Sequence, residues 1–375
     1  MASLTQSRGV ERQIAFFKRF DPWLIGSALM LLVIGLLSLY SVDAAYPKQN
    51  FFRNQVMHVV EGLIPFAIFL LVDPRVWSRY SNLFYAVNIG LLALVLKIGK
   101  TGGGSQRWLQ IGHVDFQPSE LAKLLLVLTL SSFFLSRIGK VRSINTFLLS
   151  LLHISVPMVL VFKQPHLGAT LVILVAWISI CVAAGVRLRF LVGAILLVGL
   201  GLTVAVRVPG VLQPYQVERL SGLIHPQSQG NAYQPLRAQI AFGAGGLTGE
   251  GWMRGKQKEA RYIPEQDNDF IFTVIGEEGG LFGCVFVLAL YGLFFYRIWL
   301  HMVQTEDPYF RMVTAGIFGV LGFHAVVNLG MNLQLLPVVG LWLPFMSYGG
   351  TAMWLCMACV ALLLNMRGRQ RPAIF

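Results

Sequence analysis

The sequence predicts an all-α polytopic membrane protein with about ten transmembrane helices. Of its 375 residues, 55% are hydrophobic and only 13% are charged, and the mean hydropathy is +0.65. A soluble domain of this length carries roughly twice that charged fraction. One globular core cannot hold this much apolar material, so lipid must solvate much of the chain.

The apolar residues fall into runs of the length that a bilayer requires. A hydrocarbon core is crossed by about 20 apolar residues in a helix. The predicted spans are 22–42, 56–72, 82–98, 118–136, 144–162, 166–185, 188–206, 270–299, 310–331 and 343–366.

The distribution of Lys and Arg predicts the orientation of these spans. With the N-terminus inside, the inner segments hold 16 basic residues and the short outer loops hold 6. Because basic residues accumulate on the cytoplasmic side, both termini are predicted to be cytoplasmic. The same clusters account for the net charge of +13, so it does not indicate nucleic-acid binding.

One connection is much longer than the others. We expect a single integral membrane domain, 1–375, with a cytoplasmic N-terminal segment 1–21 and a short cytoplasmic tail 367–375. The long loop 207–269 lies between the seventh and eighth helices, on the outer side. Loops of this length are usually functional or disordered, and this one is expected to fold back on the membrane surface.

Two ionisable residues lie near the start of the fourth predicted span. Glu120 and Lys123 are three residues apart, so they share a helix face and can pair. An ionisable residue at membrane depth is a functional candidate. Two interpretations remain open: a structural ion pair, or a pair facing a cavity with Lys123 available to an anionic substrate.

A second candidate is Asp269, at the junction of the long loop and the eighth span. A carboxylate in this position is either an ordinary helix cap or a general base at the edge of a cavity, where burial raises its proton affinity. Arg107, in an outer loop, has a guanidinium that suits phosphate.

Further polar residues lie deeper in two of the spans. Glu277 and Glu278 sit among glycines that allow a close neighbour or a kink, and at least one is expected to face the bundle interior. His324, Asn328 and Asn332 share one face of the ninth span, as interhelical contacts or as a cavity lining.

The sequence contains several further motifs: QRWL at 106–109, FQPSELAK at 116–123, IAFGAGGL at 240–247, DFIF at 269–272, NLGM at 328–331, LPVVG at 336–340 and PFMSYGG at 344–350. Taken together, these motifs resemble the SEDS family (shape, elongation, division and sporulation) over almost the whole chain. The chain departs from the family at His166 and His225, where aspartates are usual, and at Trp342, where proline is usual. The first helix, with Leu39 to Asp43, resembles the elongation members more than the division members.

The resemblance implies a peptidoglycan glycosyltransferase that polymerises lipid II at the outer face of the cytoplasmic membrane for cell-wall elongation and rod shape. It implies a class B penicillin-binding protein as partner, together with other elongation-complex membrane proteins. In the family the aspartate matching Asp269 is essential, so it is the predicted catalytic residue. The predicted substrate-binding residues are Arg107, Glu120, Lys123, Arg219, Glu277 and Ser347.

Within this interpretation, Arg107 and Lys123 contact the pyrophosphate, and Glu120 orients Lys123. No protein metal site is predicted, but a divalent cation, Mg²⁺ or Mn²⁺, is left open as an aid to the pyrophosphate. Two other function classes remain: a flippase that transports lipid II, and a scaffold without chemistry. The candidate residues cluster in the outer half of the bundle, which favours the enzyme.

Overall fold

The structure, a computed structural model, describes residues 16, 18–46, 48–102, 105–111, 114–164, 166–207 and 233–370. Its helices are α1 (Pro22–Ala45), α2 (Phe51–Leu71), α3 (Pro74–Arg79), α4 (Ser81–Ile98), α5 (Pro118–Leu135), α6 (Ile144–Phe162), α7 (Leu167–Ala184), α8 (Leu188–Arg207), α9 (Tyr233–Gly245), α10 (Lys256–Glu259), α11 (Ile271–Gln304), α12 (Pro308–Asn332) and α13 (Gly350–Arg369).

The predicted membrane fold is confirmed. Among the described residues, nine helices are long and apolar enough to cross a membrane, and α8 contributes a shorter apolar stretch, Leu188–Gly199. These ten helices coincide with the ten predicted runs. The side of the membrane that each helix end faces stays a prediction.

Helix starts follow from local sequence, since several helices begin at an Asp-Pro pair. Asp21 precedes Pro22 of α1, and its Oδ1 accepts hydrogen bonds from backbone N–H groups two and three residues further on, at 3.0 and 3.2 Å. Asp307 does the same for α12, at 2.8 and 3.3 Å. The carboxylate satisfies donors that lack helical partners, and proline at the first position loses none.

The last predicted run begins too early. It was predicted from residue 343, but α13 begins at Gly350. Pro344 has no N–H to donate, and Phe345 and Gly349 have φ values of 67° and 155°, which no helix accommodates. Residues 333–349 therefore form an irregular segment, here called the α12–α13 linker.

The structure also contains a small sheet that the all-α prediction omitted. Strands β1 (Lys100–Gly102), β2 (Ser105–Ile111) and β3 (Val114–Phe116) pair antiparallel in the order β1-β2-β3. They connect α4 to α5. Such short strands leave no hydropathy signal comparable to that of a membrane span.

The helices divide into a central group and a peripheral group. In α5, α12 and α13, between 72% and 83% of the apolar window is buried, whereas in α2 and α4 only 17% is buried. The central helices therefore form the core, and the peripheral ones turn most of their surface to lipid.

Helix α11 is interrupted at Gly280, whose φ is 61°. Segment 246–251 of the long loop fills the interruption. Two of its N–H groups donate to the carbonyls of Glu277 and Glu278 at 2.9 and 3.1 Å, and two of its carbonyls accept from the first two residues after the break at 2.9 and 3.2 Å. Broken backbone at membrane depth is tolerated when protein partners satisfy it in this way.

Candidate functional site

The loop before α11 is fixed through three consecutive backbone carbonyls, those of residues 267–269. The carbonyl of Asp269 accepts hydrogen bonds from the side-chain amides of Asn328 and Asn332, both at 2.9 Å. The polar face predicted on the ninth span thus connects α12 to this loop.

The other two carbonyls are held by the α12–α13 linker. The backbone N–H of Tyr348 donates to the carbonyl of Asp267 at 2.9 Å, and the Ser347 hydroxyl donates to the carbonyl of Asn268 at 2.7 Å. Ser347 also accepts from the N–H of Leu343 at 2.8 Å. It is buried and positions the loop.

The linker is in turn attached to α2. The Gln55 side chain donates to the carbonyl of Ser347 at 3.2 Å and accepts from the N–H of Gly349 at 3.0 Å. A half-buried Asp269 therefore sits on backbone that α12 and the linker restrain directly, and α2 holds the linker in place. Phe270, which is fully buried, occupies the N-cap position of α11, so Asp269 lies one residue outside it.

A second carboxylate, Asp267, lies on the same loop. Burial raises the pKa of Asp267 to about 6, and the negative charges of Glu265 and Asp43 add to the effect. Asp43 itself accepts from the N–H groups of Phe51 and Phe52 at 2.8 and 2.9 Å, at the start of α2. Asp267 was not among the predicted site residues, although its position two residues before Asp269 is visible in the sequence.

Arg107 lies on β2, at the same end of the bundle. Its Nε donates to the carbonyl of Gln164 at 3.0 Å, and the side chain is half-buried. Nearby, the Gln117 amide approaches His166 Nδ1 at 3.5 Å. The histidine found in place of the usual aspartate is buried, at the start of α7.

Glu120 and Lys123 form a buried ion pair. Lys123 Nζ lies 2.7 Å from Glu120 Oε1, and the two side chains are 0% and 1% exposed. Lys123 also donates to His324 Nε2 at 2.9 Å. His324 Nδ1 faces the carbonyl of Trp342 at 3.3 Å, which fits the tautomer with its proton on Nδ1.

Trp342 closes this network. Its indole N–H donates to Glu120 Oε2 at 3.2 Å, and its ring stacks on His324 with centroids 3.8 Å apart. Lys123 Nζ lies 5.5 Å from the Trp342 ring centroid. This arrangement supports the structural ion pair over the cavity-facing pair. A contact between Lys123 and substrate stays a prediction, and it requires movement of the partners around Lys123.

Glu277 and Glu278 both hold the long loop. Glu277 accepts from the N–H groups of Gln257 and Lys258, at 2.6 and 3.3 Å, and so caps α10. Glu278 pairs with the buried Lys258 and accepts from the Ser41 hydroxyl at 2.5 Å. Both glutamates are buried, as predicted for at least one. Glu277, predicted to bind substrate, also has a structural role that was not predicted.

Comparison with known proteins now identifies the family. The family model described as "Cell cycle protein", which covers FtsW, RodA and SpoVE, matches residues 22–371. The chain belongs to this family. The SEDS resemblance is thereby confirmed.

Named relatives align over nearly their full length. Peptidoglycan glycosyltransferase MrdB of Escherichia coli K12 is 31% identical over 354 residues, which are 94% of each chain. Probable peptidoglycan glycosyltransferase FtsW of Legionella pneumophila is 34% identical over 380 residues, 98% of this chain and 94% of that protein.

Solved structures agree. A chain from a peptidoglycan synthase complex that coordinates polymerization and crosslinking has a TM-score of 0.78 and 29% identity, covering 93% of this chain and 97% of that one. Rod shape determining protein RodA of Thermus thermophilus has a TM-score of 0.68 and 27% identity, covering 94% and 98%. As a member of this family with ten apolar helices among its described residues, the chain is a multi-pass protein of the bacterial cytoplasmic membrane.

The structure does not describe two of the residues singled out in the sequence. Arg219 and His225 lie outside the described residues. Among the residues that the structure describes, no three His, Cys, Asp or Glu side chains are arranged to hold a metal ion.

Proposed function

We propose that this protein is a peptidoglycan glycosyltransferase that polymerises lipid II, with Asp269 as its catalytic base. The observation that carries the proposal is the restrained loop 267–269. It presents a half-buried carboxylate at the end of the bundle that bears the long loop. The names of the relatives support the activity.

The reaction joins two lipid-linked sugars. Asp269 takes the proton from the 4-hydroxyl of the acceptor sugar as the oxygen attacks the anomeric carbon of the donor. The bond between that carbon and the pyrophosphate breaks, and the electron pair leaves with the lipid pyrophosphate. Holding acceptor, donor and base together supplies much of the rate, because well-oriented groups react as though highly concentrated.

The leaving pyrophosphate needs positive charge. Arg107 is the proposed contact among the described residues, since it lies on β2 at the same end of the bundle, with a planar guanidinium suited to phosphate oxygens. Arg219 is a second proposed contact. Glu120 and Lys123 are proposed to position the site indirectly, because their buried network joins α5 to α12 and to the linker. Any divalent ion, Mg²⁺ or Mn²⁺, is proposed to arrive with the pyrophosphate.

A class B penicillin-binding protein is the proposed partner. A structural neighbour comes from a synthase complex that coordinates polymerization with crosslinking, which is the pairing that such a partner provides. Elongation and rod shape are the proposed pathway. The likeness to RodA and to the chain of that complex supports it, together with the first-helix pattern.

Purified wild type, with and without its penicillin-binding protein, tests this proposal when incubated with lipid II. Glycan polymer is the expected product. A wild type that forms no polymer with its partner, but moves fluorescent lipid II between the leaflets of a vesicle, would instead be the flippase.

A further inference from the structure

An apolar groove runs between α1 and α11, beside the break in α11. Its volume is about 350 Å³, which lies within the roughly 300–1,000 Å³ of ordinary ligand sites. Ile34, Leu37 and Ser38 line one wall, and Val274 and Val287 line the other. The groove is outside the loop 267–269, and nothing in the proposed reaction has used it.

Glycines form the floor of the groove. A Cβ added to Gly279 would meet no heavy atom of the described residues within 4 Å, and one added to Gly283 would meet Ile275 only at 3.4 Å. The space over Gly279 is therefore open. The one carboxylate in the lining, Glu278, is already paired with Lys258, so the groove presents hydrocarbon to its occupant.

The mouth of the groove is aromatic. Trp252 stacks on Tyr40 with ring centroids 5.9 Å apart, and both side chains are exposed, by 56% and 45%. Tryptophan and tyrosine favour the boundary between lipid and water. The groove therefore extends from that boundary into the hydrocarbon layer.

The chain that follows Trp252 is basic. Segment 252–261 holds four Lys or Arg residues and one glutamate. Arg254 and Arg261 are exposed, whereas Lys258 is buried against Glu278 and Lys256 lies 3.8 Å from Glu250. A ligand with an anionic head group and an apolar chain matches this arrangement, since the basic segment would face the head group and the apolar groove would hold the chain.

The basic segment leads to the proposed catalytic loop. The Arg261 guanidinium lies 4.8 Å from the ring of Tyr46, at the end of α1. Tyr46 is within electrostatic range of both Arg261 and Asp267. Val274, in the groove wall, lies in the first turn of α11, five residues beyond Asp269.

The lining selects the occupant. The groove presents hydrocarbon below an aromatic mouth and beside a basic segment. This order matches an apolar chain that carries an anionic head group. We propose that this groove binds the polyprenyl chain of the lipid-linked substrate, with its pyrophosphate at segment 252–261; this rests on the proposed function.

Gly279→Leu tests the site by filling the groove, with Gly292→Leu as its control. Gly292 lies on the same helix, is exposed, and likewise meets no heavy atom of the described residues near its Cβ position. Leu37→Trp narrows the groove from the opposite wall and serves if Gly279→Leu does not fold. The probe is undecaprenyl pyrophosphate with a photoreactive group in its first isoprene units, in phosphatidylcholine nanodiscs.

We expect the probe to label the α1 and α11 walls, and Gly279→Leu to abolish the labelling while Gly292→Leu retains it. In the polymerisation assay, Gly279→Leu should raise KM for lipid II about tenfold or more with little change in kcat, because each buried methylene favours binding several-fold.

Two results would overturn the site: labelling that Gly279→Leu leaves intact, or equal labelling by a photoreactive phosphatidylglycerol. Selective labelling of a wild type that makes no glycan would support the site and refute the enzyme. Glycan synthesis without selective labelling would refute the site alone.

Discussion

At the scale of single residues, the side chains that matter most for Asp269 are those that hold its backbone. Asn328 and Asn332 donate to one carbonyl oxygen and use both of its lone pairs. A base displaced by about 1 Å can cost roughly 100-fold in rate. The asparagines are therefore proposed as positioning residues.

Asn332→Ala should lower kcat for lipid II polymerisation by about tenfold, because one hydrogen bond contributes about 1 kcal/mol and the remaining amide leaves the loop looser. KM should change little. Asn365→Ala is the matched control, since Asn365 donates to two carbonyls at 2.8 and 2.6 Å, far from the loop. Equal losses of kcat in both variants would contradict a positioning role.

Asp267→Asn should change the pH dependence of stability. The folded pKa of Asp267, about 6, lies above the ordinary value of 3.8 because of burial. Between those values the folded state holds a proton that the unfolded state has lost, so stability falls as pH rises from 4 to 6. Asparagine removes this dependence. The variant should melt higher than wild type at pH 7, with the difference shrinking toward pH 4; a difference independent of pH would contradict the assignment.

The buried Glu120–Lys123 pair gives a third prediction. Lys123→Met alone should destabilise the protein by about 3–5 kcal/mol, because it leaves a buried carboxylate unpaired. Adding Glu120→Gln should restore most of the lost melting temperature. The double variant should keep the wild-type KM for lipid II. A restored fold with KM raised tenfold would instead place Lys123 on the substrate.

Single residues also show where sequence reasoning stops. Asp269 was predictable, since an ionisable residue beside a long apolar run is expensive and therefore informative. The role of Glu277 was not, because its partners are backbone groups 19 and 20 positions away. The hydrogen bond between Trp342 and Glu120 spans 222 positions, a separation that no local pattern reveals.

At the scale of elements, hydropathy located the ten apolar helices to within a few residues at most ends. It did not reveal the break in α11, because the glycines around Gly280 permit a kink without requiring one. The requirement comes from the long loop, which supplies backbone partners for both sides of the break. Hydropathy also did not reveal the linker, because residues 343–349 are apolar without being helical.

Gly280→Ala should release the long loop. Gly280 has a φ of 61°, and its added methyl would collide with Gly249 N and come within 2.7 Å of the Leu247 carbonyl. Strain of this kind costs on the order of 1–3 kcal/mol. We expect faster proteolysis within residues 246–262 and a lower melting temperature. Gly292→Ala, in open space on the same helix, should match wild type; equal proteolysis of the two variants would contradict the account.

At the scale of the whole molecule, the proposed catalytic and substrate-binding residues lie toward the end that bears the long loop. Below Lys123, the helices pack closely: a methyl on Gly316 would meet Val127 and Ile180 side chains at 2.6 and 3.0 Å. At the opposite end, Arg297 Nη2 and His301 Nε2 lie 2.7 and 2.8 Å from Asp21 Oδ2, so these polar groups contact one another. A one-sided site suits a polymerase, whereas a flippase needs access from both faces.

The most direct test of this account is glycan formation from purified lipid II by Asp269→Asn, in complex with the penicillin-binding protein. Asparagine keeps the shape of the side chain and removes the base, so polymerisation should fall about 100-fold or more, while the melting temperature stays near wild type. Asp73→Asn, which alters a carboxylate paired with Arg369 at the opposite end, should polymerise normally. A folded Asp269→Asn variant that polymerises at the wild-type rate would contradict the assignment of Asp269 as the base.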